Sequence, residues 1–168
     1  MDRGFKTRLE ILSYALSLEE ITSTFLSFLL GIKNQKDSYI FSNSNTSLSF
    51  KNKIELLIDI GALEGDTKKK FITFMEIRNQ FMHNNDASNY VRCYSYLIGK
   101  EKFILKHYPQ SANSSKETQL RRATIALADD ILEISIKLFD KVKAKIKHDA
   151  ELENLKKSNK ALVESIVE

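Results

Sequence analysis

Three side chains of different chemical type crowd into one short segment, Arg78-Asn79-Gln80-Phe81-Met82-His83. An α-helix turns about 100° per residue, so Phe74, Met75, Phe81 and Met82 fall within roughly 60° to 80° of Phe71 and form one apolar stripe. Arg78 lies inside that stripe. A guanidinium keeps its proton and is costly to bury alone, so Arg78 must meet a carboxylate, carbonyl oxygens, a partner subunit or an anionic ligand. Asn79 and His83 are neighbours on the flank of the stripe at i, i+4 spacing, and the arginine side chain is long enough to reach toward His83. The candidate site is therefore Arg78, Asn79 and His83. Its chemistry is the holding of an anion beside a titratable imidazole.

A purely structural account of the same residues also stands. Glu19 follows Phe5, Leu9, Leu12 and Leu16 along an otherwise apolar line, which makes it an internal counter-charge for Arg78. An inward Arg–Glu pair can specify a fold without serving any function. A histidine near a helix C-terminus can simply face the last carbonyl groups and the helix dipole. These residues alone leave both accounts open.

The elements that must position the site read as helices. From Phe5 to Leu30 apolar residues are dense and no Pro or Gly intervenes, and Gly31 stands where a helix takes a left-handed terminating residue. Ile32 to Ser49, rich in Asn and Ser and including Asn43, Ser44 and Asn45, reads as a polar loop with an extended turn at Ser38 to Phe41. Ser49 caps a second helix, in which Phe50, Ile54, Leu57 and Ile58 share a face and Gly61 sits near the end. A third helix starts at Asp66 or Thr67 and runs to His83, closed by Asn84-Asn85-Asp86. A shorter helix follows from about Ala87 to Ile98, while Gly99 to Pro109 reads as either helix or extended chain. After a second polar loop, Gln110 to Lys116, the longest pattern begins: Leu120, Leu127, Ile131, Ile134, Leu138 and Val142. That helix should pack against the first and third.

Together these predict an all-α helical bundle of about five helices with a long C-terminal helix. Residues 1–147 form the expected domain, and 148–168 a helical extension or short coiled-coil segment. In the extension Leu152, Leu155, Asn159, Leu162 and Ile166 resume helical spacing, with Asn159 as a polar residue in the seam. A helix folded back onto its own domain explains that spacing equally well.

A chain of 168 residues suits one domain. Its 42% hydrophobic and 29% charged residues match a soluble globular protein. Charges at Asp2, Arg3, Lys6, Arg8 and Glu10 interrupt any leader, and Glu19 and Glu20 interrupt the next apolar stretch, so neither export nor membrane insertion is signalled. The single Cys93 has no partner for a disulfide or a thiolate metal site, which fits a reducing compartment and a cytoplasmic protein. A net charge of +4 favours a polyanion such as RNA and is equally an ordinary solubility feature.

The spacing Arg78-Asn79-x-x-x-His83 resembles the R-x(4-6)-H signature of the HEPN superfamily, in which the residue after the arginine is commonly Asn, His or Asp. A longer stretch is similar to the mannitol operon repressor branch: Phe50-Lys51-x-Lys53-x-x-x-Leu57, Gly61-Ala62-Leu63 and Ile77-Arg78-Asn79-x-Phe81-Met82-His83. The similarity spans Ser47 to Leu97. It implies a helical bundle that dimerises and brings two copies of the motif to a shared cleft. In the ribonuclease members that composite site cleaves RNA without a metal or other cofactor. The resemblance thus implies His83 as general acid or base on the 2′-hydroxyl and leaving oxygen, Arg78 stabilising the scissile phosphate, and Asn79 orienting either. Such an enzyme would be a toxin or defence effector kept in check by an inhibitory protein partner. The repressor-like branch implies the alternative, a noncatalytic regulator or protein-interaction module.

No rival chemistry competes in the sequence. His107 and His148 stand alone and read as surface or helix-end residues, and there is no phosphate-binding P-loop, G-x-S-x-G or H-E-x-x-H pattern. Lys68-Lys69-Lys70, with Lys51, Lys53, Lys100, Lys102, Lys106, Arg121 and Arg122, would make a surface for RNA or an ordinary solvated face. Tyr90, Tyr94, Tyr96 and Tyr108 are candidates for base stacking, although at helical spacing Tyr90 and Tyr94 read better as packing residues.

Overall fold

The computed structural model describes residues 3–42 and 47–167, with side chains for 4–42 and 47–159; Asn43, Ser44 and Asn45 of the first polar loop lie outside the described residues. Six α-helices occur among them, and no strand. They are α1 (Arg3–Leu29), α2 (Phe50–Asp59), α3 (Gly65–His83), α4 (Tyr90–Ser95), α5 (Lys100–His107) and α6 (Lys116–Val167), with a 3-10 turn at Gln35–Asp37. The segment whose sequence was ambiguous is α5. It adds a helix to the expected five because Ile104 is fully buried on it.

Helix ends follow local chemistry. Gly31 adopts φ +67°, and the Ile32 amide donates to the Ser27 carbonyl at 2.9 Å while Gly31 donates to Phe28 at 3.1 Å. This 6→1 and 5→2 pair closes α1 as expected for a left-handed glycine. Ser49 Oγ accepts from the Asn52 amide and starts α2. Asn84 ends α3, its side chain accepting from the Asp86 amide at 3.0 Å. Arg8 on α1 donates to the carbonyls of Asn84 and Asn85, both at 3.1 Å, which sets a cation at the negative end of the α3 dipole.

The core gathers Ile11, Leu18, Phe25 and Leu26 of α1, Ile54 and Leu57 of α2, Phe71, Phe74, Ile77 and Phe81 of α3, and Leu120, Leu127 and Ile131 of α6. Phe81 meets Tyr90 edge-on at 5.1 Å. α6 reaches both predicted neighbours: Arg121 pairs with Glu10 of α1, and Lys70 of α3 pairs with Asp130 at 2.7 Å. Glu117 of α6 also accepts from the amides of Tyr90 and Val91, each at 2.9 Å, and so caps α4 across the fold.

The first compact unit ends at Ser135, and Ile136–Glu168 forms a second. The position 147/148 falls inside continuous α6. No helix among the described residues is long and apolar enough to cross a membrane.

Candidate functional site

Arg78 is half-buried on α3, within the apolar stripe that predicted its need for a partner. Its Nη1 donates to Asn79 Oδ1 at 3.0 Å, and its Nε is buried with no hydrogen-bond acceptor. Both residues line a cavity of about 360 Å³ closed by Glu19, Ser49, Phe50, Lys51 and Met75.

Glu19 was expected to neutralise Arg78, but it pairs with Lys53 instead. Its carboxylate takes a hydrogen bond from Lys53 Nζ at 2.9 Å, and the Lys53 side chain is only 2% exposed. A buried ammonium on α2 needs that charge to offset its lost hydration. Lys53 therefore also drops out of the expected basic surface. Arg78 forms no ion pair among the described residues.

His83 is the last residue of α3, exposed, and does not line the Arg78 cavity. Five residues along a helix amount to a rise of about 7.5 Å and a net turn of about 140°. The structure thus joins Arg78 to Asn79 and leaves the imidazole of the same chain outside their cavity. Other basic side chains are engaged: Lys51 with Glu55, Lys69 with Asp66, Lys70 with Asp130 and Lys100 with Glu76. Lys68, Lys102, Lys106 and Arg122 remain exposed. Among the described residues no group of three or more His, Cys, Asp or Glu could hold a metal. His107 sits at the end of α5 with Nδ1 against the Phe103 carbonyl at 2.9 Å.

No family model, curated protein or solved structure matches this chain.

One feature of the surface was misread from sequence. Phe5, Leu9 and Leu16, expected to face inward with Glu19, are 48%, 43% and 58% exposed. α1 carries two apolar lines, and the core takes the one through Ile11, Ala15, Leu18 and Leu26. The exposed line adjoins Met82: Phe5, Leu9, Leu12, Phe81 and Met82 line a groove of about 280 Å³ beside Arg8. A helix apolar on both sides signals a second packing partner, which was the legible clue.

The tyrosines divide. Tyr90 and Tyr94 are buried, donating to Glu10 and sharing a bond with Thr124, both at 2.9 Å. They are packing residues, not stacking platforms. Tyr96 is 44% exposed. Burial, above all, raises the Tyr90 and Tyr94 hydroxyls far beyond the ordinary value of 10.0. The unfolded chain would ionise them first, so their contribution is intact below pH 10 and is lost as pH rises above it. An ultraviolet titration should show these two phenols ionising only together with loss of helical circular dichroism. Their ionisation while the helices persist would contradict this burial.

Proposed function

We propose that this chain is a metal-independent endoribonuclease of HEPN type that acts in the cytoplasm as a homodimer, with Arg78 of one copy and His83 of the other at a composite site. The observation carrying the reading is the half-buried Arg78 guanidinium, which shares its cavity with a Glu19 carboxylate already paired with Lys53 and whose Nε has no acceptor. A cation in that state stabilises a bound phosphate strongly, because little water competes for it. The exposed Phe5 and Leu9 support dimerisation, since they line a groove with Met82 at the same end of α3 as His83. In the reaction His83 removes the 2′-hydroxyl proton, the 2′-oxygen attacks phosphorus, the bond from phosphorus to the 5′-oxygen breaks, and the 5′-oxygen takes its proton from solvent water. Arg78 balances the charge that builds on the phosphate, and Asn79 holds Arg78 in place. Such an activity calls for an inhibitory protein partner that keeps it in check.

The second reading, a noncatalytic regulator or protein-interaction module, draws support from His83 lying outside the Arg78 cavity and from the pairing of Lys51, Lys53, Lys69, Lys70, Lys100 and Arg121 of the expected basic surface with carboxylates of the same chain. Incubation of the purified protein with mixed RNA in EDTA separates the two. Products ending in 2′,3′-cyclic phosphate are expected. A folded dimer that leaves RNA intact would favour the regulator.

A further inference from the structure

Residues 136–167, in the second compact unit, belong to α6. Leu152 and Leu155 stand 41% and 59% exposed on it. From Leu152 the sequence runs at alternating three- and four-residue steps through Leu155, Asn159, Leu162 and Ile166. In heptad terms Leu152, Asn159 and Ile166 occupy a, and Leu155 and Leu162 occupy d. The same register puts Lys141 at d and Lys145 at a, where two strands would set like charges face to face, so the seam begins beyond Lys145.

We propose that residues 151–167 form a parallel, in-register, two-stranded coiled coil with a second copy of this chain. Asn159 selects the occupant. In an antiparallel pair a packs against d, and in an apolar groove the amide would face only hydrocarbon; either way its donors and acceptor lose water without replacement. In a parallel pair in register, Asn159 meets Asn159 of the second copy, and each amide supplies what the other lacks. The flanking charges agree. Glu151 falls at g and Lys156 at e, so a parallel pair sets Glu151 of each strand beside Lys156 of the other, twice by symmetry. Within its own helix Glu151 has only a loose contact with Lys147 at 3.9 Å, both side chains being largely exposed, so the interstrand pair has little to displace.

Asn159→Cys places a thiol in the seam, while Lys157→Cys at the outward f position, where the native lysine is 73% exposed, serves as control. Cys93 does not compete: it is buried, and burial pushes its thiol up to about 12. On mild oxidation of the full chain, Asn159→Cys is expected to form a disulfide-linked dimer at least about tenfold faster than Lys157→Cys. Equal rates would overturn the proposal. In sedimentation equilibrium, Leu152→Lys with Leu155→Lys should weaken self-association at least about tenfold. An unchanged association constant would also overturn it and would point to a helix folded back on its own chain. Because the cross-link reads only the pairing of these helices, its result is independent of RNA cleavage and of association through α1.

Discussion

His83→Ala is expected to lower RNA cleavage by about 10²- to 10⁴-fold, the usual worth of a positioned general acid or base. Its unfolding midpoint should stay at the wild-type value, because the imidazole is exposed at the end of α3. Arg78→Ala should cost cleavage about 10²- to 10³-fold through lost charge stabilisation. Arg78→Lys should not restore it, since an ammonium cannot present the planar fork of donors that grips two phosphate oxygens. A complementation experiment tests the composite geometry. In a mixed dimer of Arg78→Ala and His83→Ala chains, one site loses both groups while the other keeps an intact arginine and an intact histidine. Activity should therefore return on mixing two dead proteins. If the mixed dimer stays as inactive as its parents, the site is not shared between copies; if His83→Ala alone cleaves normally, His83 has no part in the chemistry.

Glu19→Ala is expected to destabilise the fold by about 3–5 kcal/mol, the cost of leaving a buried charge without its partner. Lys53 cannot follow its charge into solvent, with its side chain 2% exposed, whereas Glu19, 32% exposed, can be rehydrated. The two single variants should therefore differ: Lys53→Met replaces a buried ammonium by an apolar chain of similar length, and should cost far less than Glu19→Ala. Combining Lys53→Met with Glu19→Gln should come close to wild-type stability. Urea unfolding of the four proteins checks the order. A Glu19→Ala protein within about 0.5 kcal/mol of wild type, the range of an ordinary surface change, would mean that Lys53 finds another acceptor. The double variant also separates Lys53 from Arg78, because it should unfold normally while Arg78 keeps its cavity.

Local structure was largely legible in the sequence. Gly31 and Gly61, lacking a Cβ, take left-handed backbone at the ends of α1 and α2, the Ser49 hydroxyl caps α2, and His83 ends α3 before the Asn84 turn. These are interactions between residues a few positions apart, so spacing alone states them. Pairing across the fold was another matter. The sequence pointed Glu19 at Arg78 and put Lys53 on an exposed basic face; that Lys53 is buried and takes Glu19 depended on how α2 lies against α1.

The same limit applied to the faces of α1. Phe5, Leu9, Leu12 and Leu16 form as good an apolar line as Ile11, Ala15 and Leu18, and helical periodicity cannot say which one the rest of the chain will cover. What the sequence determined by itself was five of the six helices, the ends of α1, α2 and α3 to within a residue or two, and the fact that Arg78 would sit in an apolar stripe needing an anion; it left α5 open and drew α4 longer than Tyr90–Ser95. Tertiary structure alone decided that Glu19 would serve Lys53, that Arg78 and Asn79 would share a cavity without His83, and that an apolar line would be left on the surface. The physical reason is one of range: caps and periodicity act within a few residues of chain, whereas counter-charges and buried faces are allotted by packing between segments far apart in sequence.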